Sequence, residues 1–396
     1  MKKSLFILSS VAVMFSACTQ EVLIDESAKT ATQKPFSFST FSEKVTRADS
    51  HSNLEFFYPT FNVYGWKKLQ GKSAFETEPV FNNVTNEYFA NNTSNGTVVY
   101  TSELPSSEWG TIQSFPAWFY EGIRYWDKFA TDYQFSAYTP ISASALVTCT
   151  SDGVIKFGTS ASKVTVETTN LMATPATELA YTGFTTDFMT ATSTAKTSAV
   201  NLVFNHEFAK FNVKLVKDPD LTTTQDVIVN EVSLKNLNGS SYYDSSNESA
   251  TGYVTGWATP TTEIAYEAKG VGTATTGYKL NGTTAGTDKF DGYYVMERLM
   301  VPQTAAKAVD GTGNPVNAQL AEFTEPCVFV KYTIGSEIFE GHYSLANIFL
   351  GTSTDASYNF EGGNEYTLTI TVGPKPIYFT TEVNIWNNVD GAIAAN

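Results

Sequence analysis

The residues that could do chemistry in this chain are few, and their spacing rarely matches a known reaction. His206 stands beside Glu207, and an imidazole next to a carboxylate is the kernel of a proton relay. No nucleophile is patterned with the pair, so a structural histidine is the preferred reading. His51 and His342 have no patterned partners. Asp288 with Asp291, and the run Asp310-Gly311-Thr312-Gly313-Asn314, place carboxylates in glycine-rich loops of the kind that hold calcium. Neither has the D-x-[DN]-x-[DN]-G spacing, and turn chemistry is expected instead. Gly270 to Gly277 resembles a phosphate loop only in composition, since it lacks the G-x-G-x-x-G spacing and a following helix. With three His and three Cys in 396 residues, no catalytic residue, metal site or cofactor is expected.

Two residues carry a different chemistry, that of processing. Met1-Lys2-Lys3, an apolar run from Leu5 to Phe15 and then Ser16-Ala17-Cys18 form a charged n-region, a short h-region and a small-residue cleavage site. The apolar run is too short for a transmembrane helix, which needs about 20 residues. Phe15-Ser16-Ala17-Cys18 resembles a bacterial lipobox, in which Cys18 is acylated and becomes the first residue after cleavage. An ordinary secretory leader that ends in Cys is the alternative, and both imply export. Further on, Thr46-Arg47-Ala48 sets a basic residue between small ones in a polar stretch, a loop that a trypsin-like protease cuts between Arg47 and Ala48. Cys149 and Cys327 lie 178 positions apart in strand-like contexts and are expected to stay free, as small hydrophobes.

The elements that position these residues are strands. Hydrophobic residues make up 42% and aromatics 14%, against 16% charged, which excludes a disordered chain. The 25 Lys and Arg against 40 Asp and Glu give a net charge of −15, which repels phosphate and excludes a nucleic-acid reader. Short β-rich runs separated by Gly, Asn, Asp, Pro and Ser/Thr clusters follow one another from Leu54, with almost no helical period. They predict an all-β chain of two tandem antiparallel β-sandwich domains. The expected divisions are a leader at 1–17, a propeptide at 18–47, sandwiches at 48–245 and 246–376, and a tail at 377–396. The Asn/Ser/Gly-rich stretch from Leu237 to Gly256 supplies the boundary near Ser245. Trp109, Phe115, Trp118, Phe119, Tyr120, Tyr125 and Trp126 crowd together, and core packing is preferred over a sugar- or protein-binding patch.

The two ends of the chain are complementary. Phe36 and Phe38 alternate with polar residues just before Arg47. After the break Gly373-Pro374-Lys375-Pro376, the residues Ile377, Phe379, Thr381, Val383 and Ile385 share one face of a last strand. Loss of residues up to Arg47 would leave an open sheet edge and an apolar trench, which the C-terminal strand of a neighbour fits. Donor and acceptor surfaces differ, so such contacts run head to tail and build filaments. The alternative leaves both strands paired within their own chain and Thr46-Arg47-Ala48 as a plain loop.

The lipobox, the segment ending Thr46-Arg47-Ala48, Phe61-Asn62-Val63-Tyr64-Gly65-Trp66, Asn205 to Phe211, Gly292 to Met296, Asn364 to Ile370 and Val383-Asn384-Ile385-Trp386 follow one another in this order. In that order the chain resembles the fimbrillins, the Mfa-like and FimA-like pilins of Bacteroidetes type V pili. The resemblance implies two transthyretin-like sandwiches and a non-enzymatic subunit of a surface fimbrium that supports adhesion. It implies lipoprotein export to the outer membrane through Cys18, cleavage after Arg47 by an arginine-specific protease, and polymerisation by strand exchange with other pilin subunits. Ile377 to Trp386 matches the family's donor strand. A host glycan or protein is the candidate ligand. The runner-up is a surface lipoprotein that binds glycan through its sandwiches without polymerising. Cleavage would remove six Lys and Arg and four Asp and Glu, leaving 19 against 36, a net −17.

Overall fold

The computed structural model describes residues 35–42, 60–89, 93–94, 97–98, 117–165, 187–195, 199–221, 226–248, 250, 252–261, 263–267, 278–280, 294–374 and 377–385. Cys18, Arg47, Ala48, Asp288 and Asp291, the Gly270–Gly277 run, Trp109 and Phe115 lie outside these. The described chain is all-β, with antiparallel sheets in a sandwich-like arrangement.

The first set of strands is β1 (Phe38–Ser42), β2 (Thr60–Leu69), β3 (Phe81–Phe89), β4 (Ala117–Tyr120), β5 (Ala130–Thr139), β6 (Met189–Ala195) and β7 (Val200–His206). They form one seven-stranded sheet in the order β1-β7-β6-β5-β2-β3-β4. Right-handed twist rolls such a sheet onto itself. Here it rolls until its two edges meet: Phe38 in β1 lies 5.9 Å from Tyr120 in β4, edge to face. The inner face is aromatic. Phe36, Phe61, Phe81, Phe135 and Tyr133 are all essentially inaccessible. Gly65 fits here because a Cβ would meet the Phe135 ring at 2.9 Å, so only hydrogen lets this ring lie over β2. Along β7 the burial alternates, with Val200, Leu202, Phe204 and His206 inward, the period that strands impose.

The second set is β8 (Ala209–Lys217), β9 (Val227–Asn238), β10 (Glu263–Glu267), β11 (Tyr294–Met300), β12 (Cys327–Ile334), β13 (Glu337–Ser344), the helix α1 (Leu345–Leu350), β14 (Asn364–Val372) and β15 (Tyr378–Ile385). A four-stranded sheet runs β11-β8-β14-β15, and a second runs β10-β9-β12-β13 and ends on Ala318–Gln319. The sheets face each other: the Tyr343 ring of β13 meets Phe379 of β15 at 4.8 Å, and the Tyr332 hydroxyl of β12 donates to Gly373 O at 2.9 Å. Ser344 caps α1 by accepting from Asn347 N, as a serine at this position does.

Two features of the connectivity bear on how the sheets join. The sheets are not purely antiparallel, because β1 runs parallel to β7 and β8 runs parallel to β14. Hydrogen bonding also passes from the first set to the second between His206 and Ala209, upstream of Ser245. The Asn/Ser/Gly-rich stretch carries short strands of its own. Tyr243–Asp244 pairs with Ile155–Phe157 on one side and Trp257–Ala258 on the other, in a small sheet that ties both halves together. Trp257, fully buried, stacks on Phe208 at 4.8 Å and donates its indole N–H to Glu207 O at 2.7 Å.

Candidate functional site

The site is a slot in the rolled sheet, and residues 35–42 fill it. On one side β1 forms a parallel ladder with β7, Phe38 opposite Val200 through Ser42 opposite Phe204, begun by Val200 N donating to Ser37 O at 2.8 Å. On the other side Pro35 bridges to Tyr125, and Phe36 N donates to Arg124 O at 2.9 Å. The Tyr120 hydroxyl donates to Phe36 O at 3.1 Å. Burial pushes this phenol far above its ordinary pKa, so it stays a donor at all physiological pH.

The two predicted phenylalanines occupy two pockets. Phe36, 0% exposed, packs against Trp126 at 4.1 Å, Phe81 and Tyr133 at 5.3 Å and Phe135 at 5.7 Å. Phe38, 5% exposed, meets Phe81, Tyr120, Phe61 and Phe135 at 5.5–6.0 Å. Each buried ring contributes about 1.5–3 kcal/mol through area alone, and edge-to-face contacts add to it. The segment is therefore part of the core.

Of the aromatic cluster, Tyr120 and Trp126 line this slot, against Phe38 at 5.9 Å and Phe36 at 4.1 Å. Trp118, Phe119 and Tyr120 are buried at 3%, 0% and 1% exposure, and Trp126 covers Phe36. These residues offer no open face to a sugar.

The C-terminal strand is the contrasting element. Tyr378–Ile385 pairs antiparallel with β14 over its whole length, Tyr378 opposite Thr371 through Ile385 opposite Asn364. Ile377 and Phe379 are half-buried beside a groove of about 360 Å³ lined by Tyr332, Phe339 and Tyr343, while Thr381 is also half-buried. Val383 and Ile385, on the same face, are 45% and 54% exposed. The strand sits at the edge of its sheet with an apolar face that its own chain covers only in part.

The other candidate groups resolve into structure. His206 Nδ1 lies 2.6 Å from Asp187 Oδ2, both buried, and it is Asp187 rather than Glu207 that partners the ring. The Glu207 carboxyl faces the Thr190 hydroxyl, and burial pushes it up to about 8. Asp310 accepts from Thr312 N at 2.8 Å, Thr312 Oγ1 at 2.7 Å and Asn314 N at 2.9 Å, which holds its carboxyl down at about 2. Those bonds close a turn. Cys149 and Cys327 are free thiols. Among the described residues no three His, Cys, Asp or Glu side chains are grouped as metal ligands, and no helix is long and apolar enough to cross a membrane.

No protein-family model and no curated protein sequence matches the chain. Similar solved structures are cell adhesion and fimbrial proteins of Bacteroidetes. A fimbrial protein from Bacteroides vulgatus is 14% identical over 89% of this chain and 99% of its own, at a TM-score of 0.49. A protein described as a cell adhesion protein from Bacteroides uniformis is 16% identical over 89% and 98%, at 0.41. The tip fimbrial protein Mfa3 from Porphyromonas gingivalis, with a C-terminal truncation, is 13% identical over 83% and 94%, at 0.37. These are likenesses of distant chains, and the slot geometry carries the functional argument.

Proposed function

We propose that the chain is a structural subunit of a cell-surface fimbrium, exported as a lipoprotein through Cys18. Cleavage after Arg47 then frees it, and it polymerises by strand exchange in support of adhesion. The observation that supports this most directly is that Phe36 and Phe38 fill an apolar slot from a segment lying between the leader and Arg47. Their loss would expose two aromatic pockets and the backbone edge of β7, which a sheet does not leave to water. Ile377, Phe379, Thr381, Val383 and Ile385 form the donor face, and the exposure of Val383 and Ile385 fits a strand with a partner still to find. Other subunits of the same fimbrium are the partners, and a glycan-binding monomer lacks support because Trp118, Phe119 and Tyr120 are core.

The test is N-terminal sequencing and intact mass of protein recovered from the cell surface, with unboiled and boiled samples on a denaturing gel. A start at Ala48 with a heat-labile ladder is expected. A start at lipidated Cys18 with a single band would overturn cleavage and polymerisation together.

A further inference from the structure

The contacts that fasten residues 35 and 36 lie at the end of the segment away from Arg47. Residues 121–126 turn back from β4 and grip Pro35 and Phe36 from the side opposite β7. Three contacts meet there: the Pro35–Tyr125 bridge, the Phe36 N–H on Arg124 O, and the Tyr120 hydroxyl, which donates to Phe36 O and accepts from Arg124 N at 3.4 Å. Trp126 covers the Phe36 ring. The turn is itself held shut by one side chain. The Arg124 guanidinium lies 4.9 Å from the Phe81 ring centre and 5.8 Å from that of Tyr120, while its Nη1 donates to Glu121 O at 3.0 Å and Gly122 O at 2.7 Å. Gly122 has φ +71°, a left-handed conformation that lets the two carbonyls converge on this nitrogen.

We propose that residues 121–126 are a clasp that retains the N-terminal strand in its slot after the chain has been cut, and that Arg124 is the positioning residue that keeps the clasp closed. Release, and with it the moment at which an incoming strand can enter, is then set by opening of the clasp rather than by the protease. Arg124 acts through the backbone of its own turn, since its carbonyl and not its side chain meets Phe36. The inference rests on the proposed function only in taking Arg47 as the natural cut.

The experiment uses the full chain with a recognition site for a sequence-specific protease inserted between Thr46 and Arg47. After cutting, the fraction of N-terminal fragment that co-elutes with the body on gel filtration is followed over time, with excess synthetic peptide 33–46 present to block rebinding. Tryptophan emission reports exposure of Trp126 in parallel. The expected result is slow loss from the wild type, loss about tenfold faster from Arg124→Ala, and an intermediate rate from Arg124→Lys, which keeps a cation but not the planar guanidinium over the rings. A merely structural role for Arg124 would lower the melting point of the emptied body without changing the rate of loss. Immediate loss from the wild type, or equal rates in all three, would overturn the proposal. If Arg124→Ala does not fold, Tyr120→Phe decides: it keeps the ring and removes the bond to Phe36 O, and an unchanged rate sinks the clasp. The unmodified chain treated with an arginine-specific protease tests the other reading separately. Failure to cut after Arg47 removes the proposed function and leaves the clasp to its own result.

Discussion

Single residues here carry effects that their neighbours in sequence do not announce. Glu207 keeps its proton to about pH 8 in the folded chain, against an ordinary carboxyl value of 4.5. The folded state then holds a proton that the unfolded state releases, so stability falls as pH rises from about 4.5 to about 8. We expect Glu207→Gln to remove most of that slope, raising stability near pH 8.5 by on the order of 2 kcal/mol while changing little at pH 4. Denaturant midpoints at the two pH values check it, and parallel slopes in both proteins would rule out Glu207 as the source. At the slot, Phe36→Ala is expected to destabilise the uncut chain by about 3–5 kcal/mol. It should leave molecules that have been cut at Arg47 and have lost the strand untouched, because the residue is gone from them. The partnership of His206 with Asp187 was not legible: adjacency suggested Glu207, but successive residues of a strand point to opposite faces, and the ring turns away from its neighbour.

At the scale of elements, strict alternation was the reliable signal. Phe36 and Phe38 are buried, and along residues 377–382 the odd positions are half-buried and the even ones exposed. The clasp was invisible in sequence because backbone groups of residues 124 and 125 meet residues 35 and 36, and backbone bonds leave no side-chain pattern to read. The small sheet around Tyr243 was hidden for a related reason: small polar residues signal a turn, and a turn inside a buried small sheet looks the same in sequence as a linker. For β15, changing Val383 and Ile385 together to Lys should alter monomer stability by no more than about 0.5 kcal/mol each, since both are exposed edge positions. The same change should abolish heat-labile multimers, because a charged face cannot enter an aromatic slot. Retained multimers would exclude β15 as the donor.

For the whole molecule, the excess of acid sets the terms on which subunits meet. The processed chain would carry a net −17, and like-charged bodies approach slowly until salt screens them. Assembly of processed subunits should therefore speed up as ionic strength rises from about 0.05 to 0.5 M, where the screening length falls well below about 10 Å. Light scattering against time would show it, and slower assembly at high salt would mean that opposite charges rather than apolar strands drive the contact.

The parallel ladder between β1 and β7 also orders events in time. Phe38 is synthesised long before Val200, its partner across the ladder. Contacts so distant along the chain close late, since the loop they shut must lose its freedom first. The newborn molecule accordingly passes through a form with its seam open, the same form that the proposed cut followed by release of the strand would recreate. A membrane tether at the N-terminus during that interval would keep such molecules apart and their own strand close by, so that the seam is sealed from within before it can be filled from outside.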